Sequence, residues 1–189
     1  MWYVIQVETG REAHIQQLIE RNVDAASYRE VFAPKLRTMK RIRGQWRESE
    51  GLLIPGYLFV ITDTPGAFAR ELRAVPAFTR LLGNDDLFTP LSDEEAAFID
   101  AFTSAKHRVV GMSSGVIEGD RVVLTGGPLV GHEALIVRID RHKRLAWIEF
   151  EILGRRKQVS VGLEIVSKRA AAAAACGTPP SRDPEDLRT

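Results

Sequence analysis

Residues 2–22 read WYVIQVETGREAHIQQLIERN, and the change of period inside this stretch decides the fold. From Trp2 to Val7 the residues are strand formers with apolar side chains at odd and even positions alike. Such a strand needs cover on both faces, which suits a central strand rather than a solvated edge. Glu8-Thr9-Gly10 ends it. From Arg11 to Asn22, Ile15, Leu18 and Ile19 fall on one helical stripe with no Pro or Gly between them, which predicts an amphipathic helix.

Working outward, Glu30 to Phe32 is a short strand stopped by Pro34. The next run, KLRTMKRIRGQWR (35–47), carries six basic side chains and no acid, and Gly44 predicts a hairpin turn at its tip. LIPGYLFVIT (53–62) reads as a strand with a Pro55-Gly56 kink. GAFARELRAVP (66–76) reads as a short helix with Phe68 and Leu72 one turn apart. Ser92 with Glu95 three positions on is a capping box, and it opens a helix over 92–106 that carries Ala96, Phe98, Ile99 and Phe102. Strand, helix, strands, helix, helix spells an α+β domain over residues 1–105. Residues 106–115, with Gly111, Ser113, Ser114 and Gly115, read as a linker. Residues 116–169 hold short strand-like runs (RVVLT, ALIVRID, LAWIEFEI, KQVSV) punctuated by glycine, the pattern of a small β-barrel. The alanine-rich and proline-rich stretch 170–189 is too poor in apolar surface to pack, and disorder is expected there.

Composition narrows the function. In 189 residues, 26 basic and 25 acidic side chains leave a formal charge of +1, so any cationic surface must be local. The single cysteine, Cys176, excludes a disulfide framework and a multi-cysteine zinc site. No apolar run reaches the roughly 18–20 residues of a membrane span. The opening MWYVIQVETG lacks a basic n-region and a cleavage motif, so no signal peptide is expected, and the expected location is the cytoplasm. The histidines (His14, His107, His132, His142) have no metal-ligand spacing, and no serine sits in a G-x-S-x-G elbow. GGPLVGH (126–132) lacks the Lys-Ser/Thr ending of a phosphate loop and reads as a turn. Asp93, Glu94 and Glu95 suit a helix N-terminus without any catalytic role. Neither an enzyme nor a cofactor or metal site is expected.

Two kinds of surface remain. Lys40, Arg41, Arg43 and Arg47 share the first hairpin with Trp46, and Arg141-His142-Lys143-Arg144 and Arg155-Arg156-Lys157 occupy two turns of the barrel. Cations can neutralise phosphates and an aromatic beside them can stack on a base, against the plainer alternative of solvated loops. Ile54, Pro55, Tyr57 and Phe59, with Val75, Phe78, Leu81 and Leu82 downstream, are either core or an apolar surface that receives a partner helix.

Trp2-Tyr3-Val4 with Gly10 and Glu12, Pro55-Gly56-Tyr57-Leu58-Phe59-Val60, Val75-Pro76, Leu82-Gly83 and Pro90-Leu91-Ser92-Asp93-Glu94-Glu95 resemble the N-terminal domain of NusG-type transcription elongation factors. Gly119-Asp120-Arg121-Val122, Gly127-Pro128-Leu129 and Leu153-Gly154-Arg155 resemble the KOW domain that follows it. The opening and the IDRHKR turn look more like the specialised LoaP group than the housekeeping members. The resemblance implies an α/β sandwich (an antiparallel sheet with helices) followed by an SH3-like barrel. It implies docking on the clamp helices of RNA polymerase through Ile54, Pro55, Tyr57, Phe59 and Leu82, and an Arg73 that faces non-template DNA or nearby polymerase elements. Within the LoaP group it implies an operon-specific antiterminator recruited by a leader RNA hairpin, for which the basic residues above are the candidate contacts. A general elongation factor and a stand-alone RNA- or ribosome-binding barrel protein are the alternatives. A monomer is expected, and Rho or a ribosomal protein are further partners implied for the KOW domain. Two residues depart from the family pattern: Ala134 stands at a usual glycine and Leu153 at a usual phenylalanine. From the β-rich character of 132–160 and the composition of the linker, the barrel is expected to be held apart from the first domain, without autoinhibition.

Overall fold

The computed structural model describes residues 1–84, 87–103, 108–118 and 121–166. In chain order its elements are β1 (Trp2–Val7), α1 (Glu12–Asn22), β2 (Glu30–Phe32), β3 (Lys35–Ile42), β4 (Gln45–Leu52), β5 (Tyr57–Ile61), α2 (Pro65–Leu72), β6 (Thr79–Leu81), β7 (Gly83–Asn84), β8 (Leu87–Phe88) and α3 (Asp93–Phe102). They continue with β9 (Val109–Val110), β10 (Ser113–Glu118), β11 (Arg121–Gly126), β12 (Ile136–Asp140), β13 (Leu145–Ile152) and β14 (Arg155–Val166). The architecture is α+β. The tail 170–189, with Cys176, lies outside the described residues, as do His107 and the Gly119-Asp120 pair.

β1 is central, as its two apolar faces predicted: the first sheet runs β2-β5-β1-β6, with antiparallel neighbours throughout. Tyr3, Ile5 and Val7, with Leu58 and Val60 of β5, pack against Ile15 and Ile19 of α1 and Phe68 and Leu72 of α2. Val4, Phe32 and Phe59 point the other way, into a second core. The predicted hairpin is β3–β4, paired from Lys35↔Leu52 to Ile42↔Gln45, so Arg43-Gly44 form its two-residue turn. Both turn residues have positive φ (50° and 81°), the pattern of a type I′ hairpin. The strand expected over 53–62 is shorter at its start. β5 begins at Tyr57, because Gly56 takes φ +83° and breaks the extended run.

Two expectations are corrected. Residues 106–115 are not a free linker where they are described. β9 adds parallel to β3, the Lys35 N–H donates to the Arg108 carbonyl (2.9 Å), and 113–118 is strand β10. The Arg108 guanidinium, 11% exposed, donates to both Glu30 carboxylate oxygens (2.9 and 2.6 Å) and to Asp100. It also lies over the rings of Trp2 (5.1 Å) and Phe32 (4.5 Å). These acids, Glu30 first, hold the Arg108 pKa above its ordinary value. Two of the small residues that suggested flexibility, Ser113 and Gly115, serve close packing instead. Ser113 is buried, and its Oγ accepts from the Leu129 N–H (3.1 Å). A Cβ on Gly127 would lie 2.5 Å from the Ser113 Cα.

The second correction concerns the C-terminal unit. It has the four expected strands (β11, β12, β13 and β14) with β10 in addition, in the order β11-β10-β14-β13-β12, but it is not held apart. One core joins Val4, Phe32, Leu53, Ile54 and Phe59 to Ile99 and Phe102 of α3 and to Ile148, Phe150, Ile152, Val161 and Leu163. Phe98 of α3 lies 5.1 Å from Phe150 and 5.6 Å from His132, ring centre to ring centre. β14 also approaches β3 closely: a Cβ on Gly162 would lie 2.6 Å from the Arg37 carbonyl oxygen. Glycine composition could not distinguish a hinge from this close approach.

Candidate functional site

The first candidate surface is the side of the first sheet that faces away from α1 and α2. Its geometry starts with Glu12. This carboxylate is 2% exposed and accepts from the backbone N–H of Gly56 (2.7 Å) and of Gly10 (2.8 Å). Burial by itself would raise its pKa, but the N–H groups of Gly56, of Glu12 itself and of Gly10 outweigh burial and hold it below the usual carboxylate range. The clamp fixes the turn ahead of β5, where a side chain on Gly56 would meet Thr9 Oγ1 at 2.9 Å. It thereby sets which residues of 53–59 face out. Ile54 and Phe59 are buried, Pro55 is exposed, and Tyr57 and Leu82 are half-buried.

Ile54, Tyr57, Phe59 and Leu82 line one wall of a crevice of about 420 Å³, together with Val4 and Gln6. The other wall is the C-terminal unit: Ile152, Leu153, Arg155 and Lys157. Lys157 lies over the Tyr57 ring, its Nζ 5.0 Å from the ring centre. The turn at the mouth is built on Leu153 (φ 49°) and Gly154 (φ 67°), and the Leu153 N–H donates to Glu95 Oε1 at 2.6 Å. The other oxygen of Glu95 accepts from the Ser92 N–H (2.8 Å), closing the capping box predicted for α3. One carboxylate therefore caps α3 and latches the C-terminal unit. Of Glu12 and Glu95, the sequence signalled only the capping half of the Glu95 role.

The second candidate surface is cationic and spans both parts. Lys40, Arg41, Arg43 and Arg47 are exposed at the β3–β4 tip, and Lys40 pairs directly across from Arg47. The β12–β13 turn brings Arg141, His142, Lys143 and Arg144 to the same place, with Arg144 Cζ 4.4 Å from the centre of the Trp46 ring. Arg144 is a bridge rather than a free cation, since its Nη1 also pairs with Glu164 (2.8 Å) and its backbone takes φ 55°. Trp46 is half-buried, and this contact occupies its ring. Lys143 pairs loosely with Asp140 (3.9 Å). Arg155 and Lys157 sit at the crevice instead, Arg156 pairs with Glu149 (3.6 Å), and Arg73 is exposed at the end of α2, away from both clusters in sequence and element. Ala134 lies in the short 3₁₀ turn 133–135 and is not among the residues with positive φ, so the glycine it replaces is not needed there for backbone freedom.

Among the described residues there is no cluster of His, Cys, Asp and Glu able to hold a metal. No helix of the described residues is long and apolar enough to cross a membrane. The fold joins two structural units across an apolar junction, with exposed basic residues at its rim. The family model described as "Transcription termination factor nusG" matches residues 1–100, and the "KOW motif" model matches residues 118–151. The chain belongs to the NusG family of transcription factors and is not an enzyme. It is similar to the transcription termination/antitermination protein NusG of Campylobacter jejuni (24% identical, 88% of this chain and 96% of the relative). A second such relative is that of Borreliella burgdorferi (27% identical, 88% and 97%). Among solved structures, one described as domain interaction in Thermotoga maritima NusG aligns with a TM-score of 0.51 at 20% identity, over 85% of this chain and 92% of that one. That likeness supports the fold.

Proposed function

We propose that this chain is an operon-specific elongation and antitermination factor that binds RNA polymerase through its apolar sheet face and a leader RNA hairpin through its basic rim. The observation that carries the reading is the sheet face around Tyr57. It bears apolar side chains, α3 is the one helix among the described residues whose side chains share its core, and the C-terminal unit that covers it leaves a crevice. A face of this kind accepts an apolar helix pair such as the polymerase clamp helices, with Ile54, Pro55, Tyr57, Phe59 and Leu82 as contacts. Because the C-terminal unit occupies the face, polymerase binding requires that unit to leave. The RNA part rests on Lys40, Arg41, Arg43, Arg47, Arg141 and Lys143. RNA helices are recognised largely by shape and phosphate, which suits a cationic rim without a defined pocket.

The test is capture of core RNA polymerase by the whole chain and by Tyr57→Ala, with circular dichroism of both. Truncating an aromatic anchor typically costs about 2 kcal/mol or more of binding. A folded Tyr57→Ala that binds polymerase as well as the unaltered chain overturns the docking assignment. Leader RNA should increase retention on elongating polymerase at its own operon and at no other. Equal retention at unrelated operons would return the chain to the general elongation factors.

A further inference from the structure

The crevice between the two units changes character along its length, and strand register shows how. Across the first sheet Tyr57, Gln6 and Arg80 stand in one row, because Gln6 pairs with Tyr57 of β5 on one side and with Arg80 of β6 on the other. The next row on that face is apolar, with Val4 opposite Phe59. On the facing wall, the side of β14 that buries Val159 and Val161 carries Lys157 and Arg155 where it reaches the crevice. We propose that the crevice binds a small organic polyphosphate of the nucleoside di- or triphosphate class, held between Arg80 and Gln6 of the first unit and Arg155 and Lys157 of the second. The site goes beyond the polymerase and RNA readings and rests on neither.

The charge at this site is uncompensated. Among the described residues no acid lines the crevice, and neither Arg80, Arg155 nor the Gln6 amide makes a side-chain hydrogen bond or ion pair. Glu95, at the mouth, has its two oxygens on the Ser92 and Leu153 N–H groups. Glu149 and Glu151 lie on the outer side of β13 with Arg156, by alternation with Phe150 and Ile152. The donors also suit phosphate. Two guanidinium forks and an ammonium match its oxygens, and Lys157 is braced over the Tyr57 ring, 5.0 Å from its centre. Size completes the argument. The crevice measures about 420 Å³, within the range of small-ligand sites, and Leu82, Ile152 and Leu153 give apolar cover for a base. Set between two walls, it has no room for a nucleic acid duplex.

The consequence follows from linkage. A ligand that touches both walls binds the seated arrangement of the units more tightly than a separated one, so its concentration sets how firmly the C-terminal unit is seated. The β3–β4 tip and the β12–β13 turn contribute nothing to the crevice lining, so RNA at the basic rim and a polyphosphate in the crevice do not compete for the same cations.

The experiment is calorimetric titration of the full chain with ATP and GTP, and with tripolyphosphate and adenosine as the charged part and the apolar part alone. Saturable binding of ATP or GTP is expected, with each fragment binding more weakly by about tenfold or more. Arg80→Gln and Lys157→Gln, one from each wall, should each weaken binding about tenfold, the worth of a hydrogen bond to a charged group. Arg21→Gln removes the same charge from α1, on the opposite face of the sheet, and should leave binding unchanged. Circular dichroism checks the fold of every variant. Tripolyphosphate binding as tightly as ATP would reduce the crevice to a charged patch and overturn the nucleoside phosphate assignment. Absence of saturable binding, an equal loss in Arg21→Gln, or a loss confined to one wall would overturn the crevice as the site. Polymerase capture and hairpin RNA binding are separate measurements, so the function proposed above stands or falls without these titrations.

Discussion

Replacing Glu12 by Gln tests the clamp that shapes the apolar face. The carboxylate is buried and accepts from two backbone N–H groups, of Gly56 and Gly10, at 2.7 and 2.8 Å. Hydrogen bonds to a charged group contribute about 1.5–3 kcal/mol each, and an orphaned buried donor costs about 1–3 kcal/mol. Glutamine keeps one acceptor oxygen and turns an NH₂ towards the other N–H, so one bond is broken and one donor is stranded. The expected loss is about 2–3 kcal/mol at neutral pH, which at a urea dependence of about 2 kcal/mol per molar lowers the unfolding midpoint by about 1 M. The pH dependence has a definite sign. The Glu12 pKa is lower in the folded chain than its ordinary value of 4.5, so the folded state binds that proton less readily than the unfolded state. Its contribution is complete above about pH 4.5 and is lost as pH falls through the folded value. Glutamine has no such titration, so the difference between the two chains should be constant from pH 7 to 5 and should shrink below that. Urea unfolding followed by tryptophan fluorescence at pH 7, 5 and 3.5 measures it. Equal midpoints at pH 7, or a difference that widens on acidification, would refute the clamp.

Arg108→Ala should cost about 2 kcal/mol in thermal unfolding, since it strips Glu30 and Asp100 of a largely buried partner, and Arg108→Lys should recover little because lysine cannot fork across both Glu30 oxygens. Gly162→Ala should destabilise the seated arrangement by about 1–3 kcal/mol, because its Cβ meets the Arg37 carbonyl oxygen; a lower urea midpoint than the unaltered chain would report it. Arg43→Asn should raise stability by about 0.5–1 kcal/mol, since asparagine tolerates φ 50° better, yet it should weaken RNA binding and flatten its salt dependence. Unchanged RNA affinity in that variant would remove Arg43 from the RNA-binding rim.

The elements of the chain were legible wherever local chemistry decides. The two-faced strand Trp2–Val7, the Ile15/Ile19 stripe, the Arg43-Gly44 turn and the Ser92/Glu95 capping box are each written within a few residues, because strand period, helix period, turn dihedrals and caps are local properties. The family was legible for the same reason: its motifs are short runs such as Pro55-Gly56-Tyr57. What the sequence could not decide was how its two parts sit together. Gly111, Ser113, Ser114 and Gly115 have the composition of a hinge, and only packing shows that Ser113 is pressed by the Gly127 turn and that Gly115 lies close against the β11 backbone. Basic residues about a hundred positions apart, at 40–47 and 141–144, gave no sign that they meet, since that meeting depends on Phe98, Phe150 and Gly162 seating one unit on the other. Burial of Phe59, the latch of Glu95 on Leu153 and the second acceptor role of Glu12 are likewise long-range. They depend on which backbone groups the tertiary fold brings within hydrogen-bond or van der Waals reach, and neither periodicity nor composition encodes that.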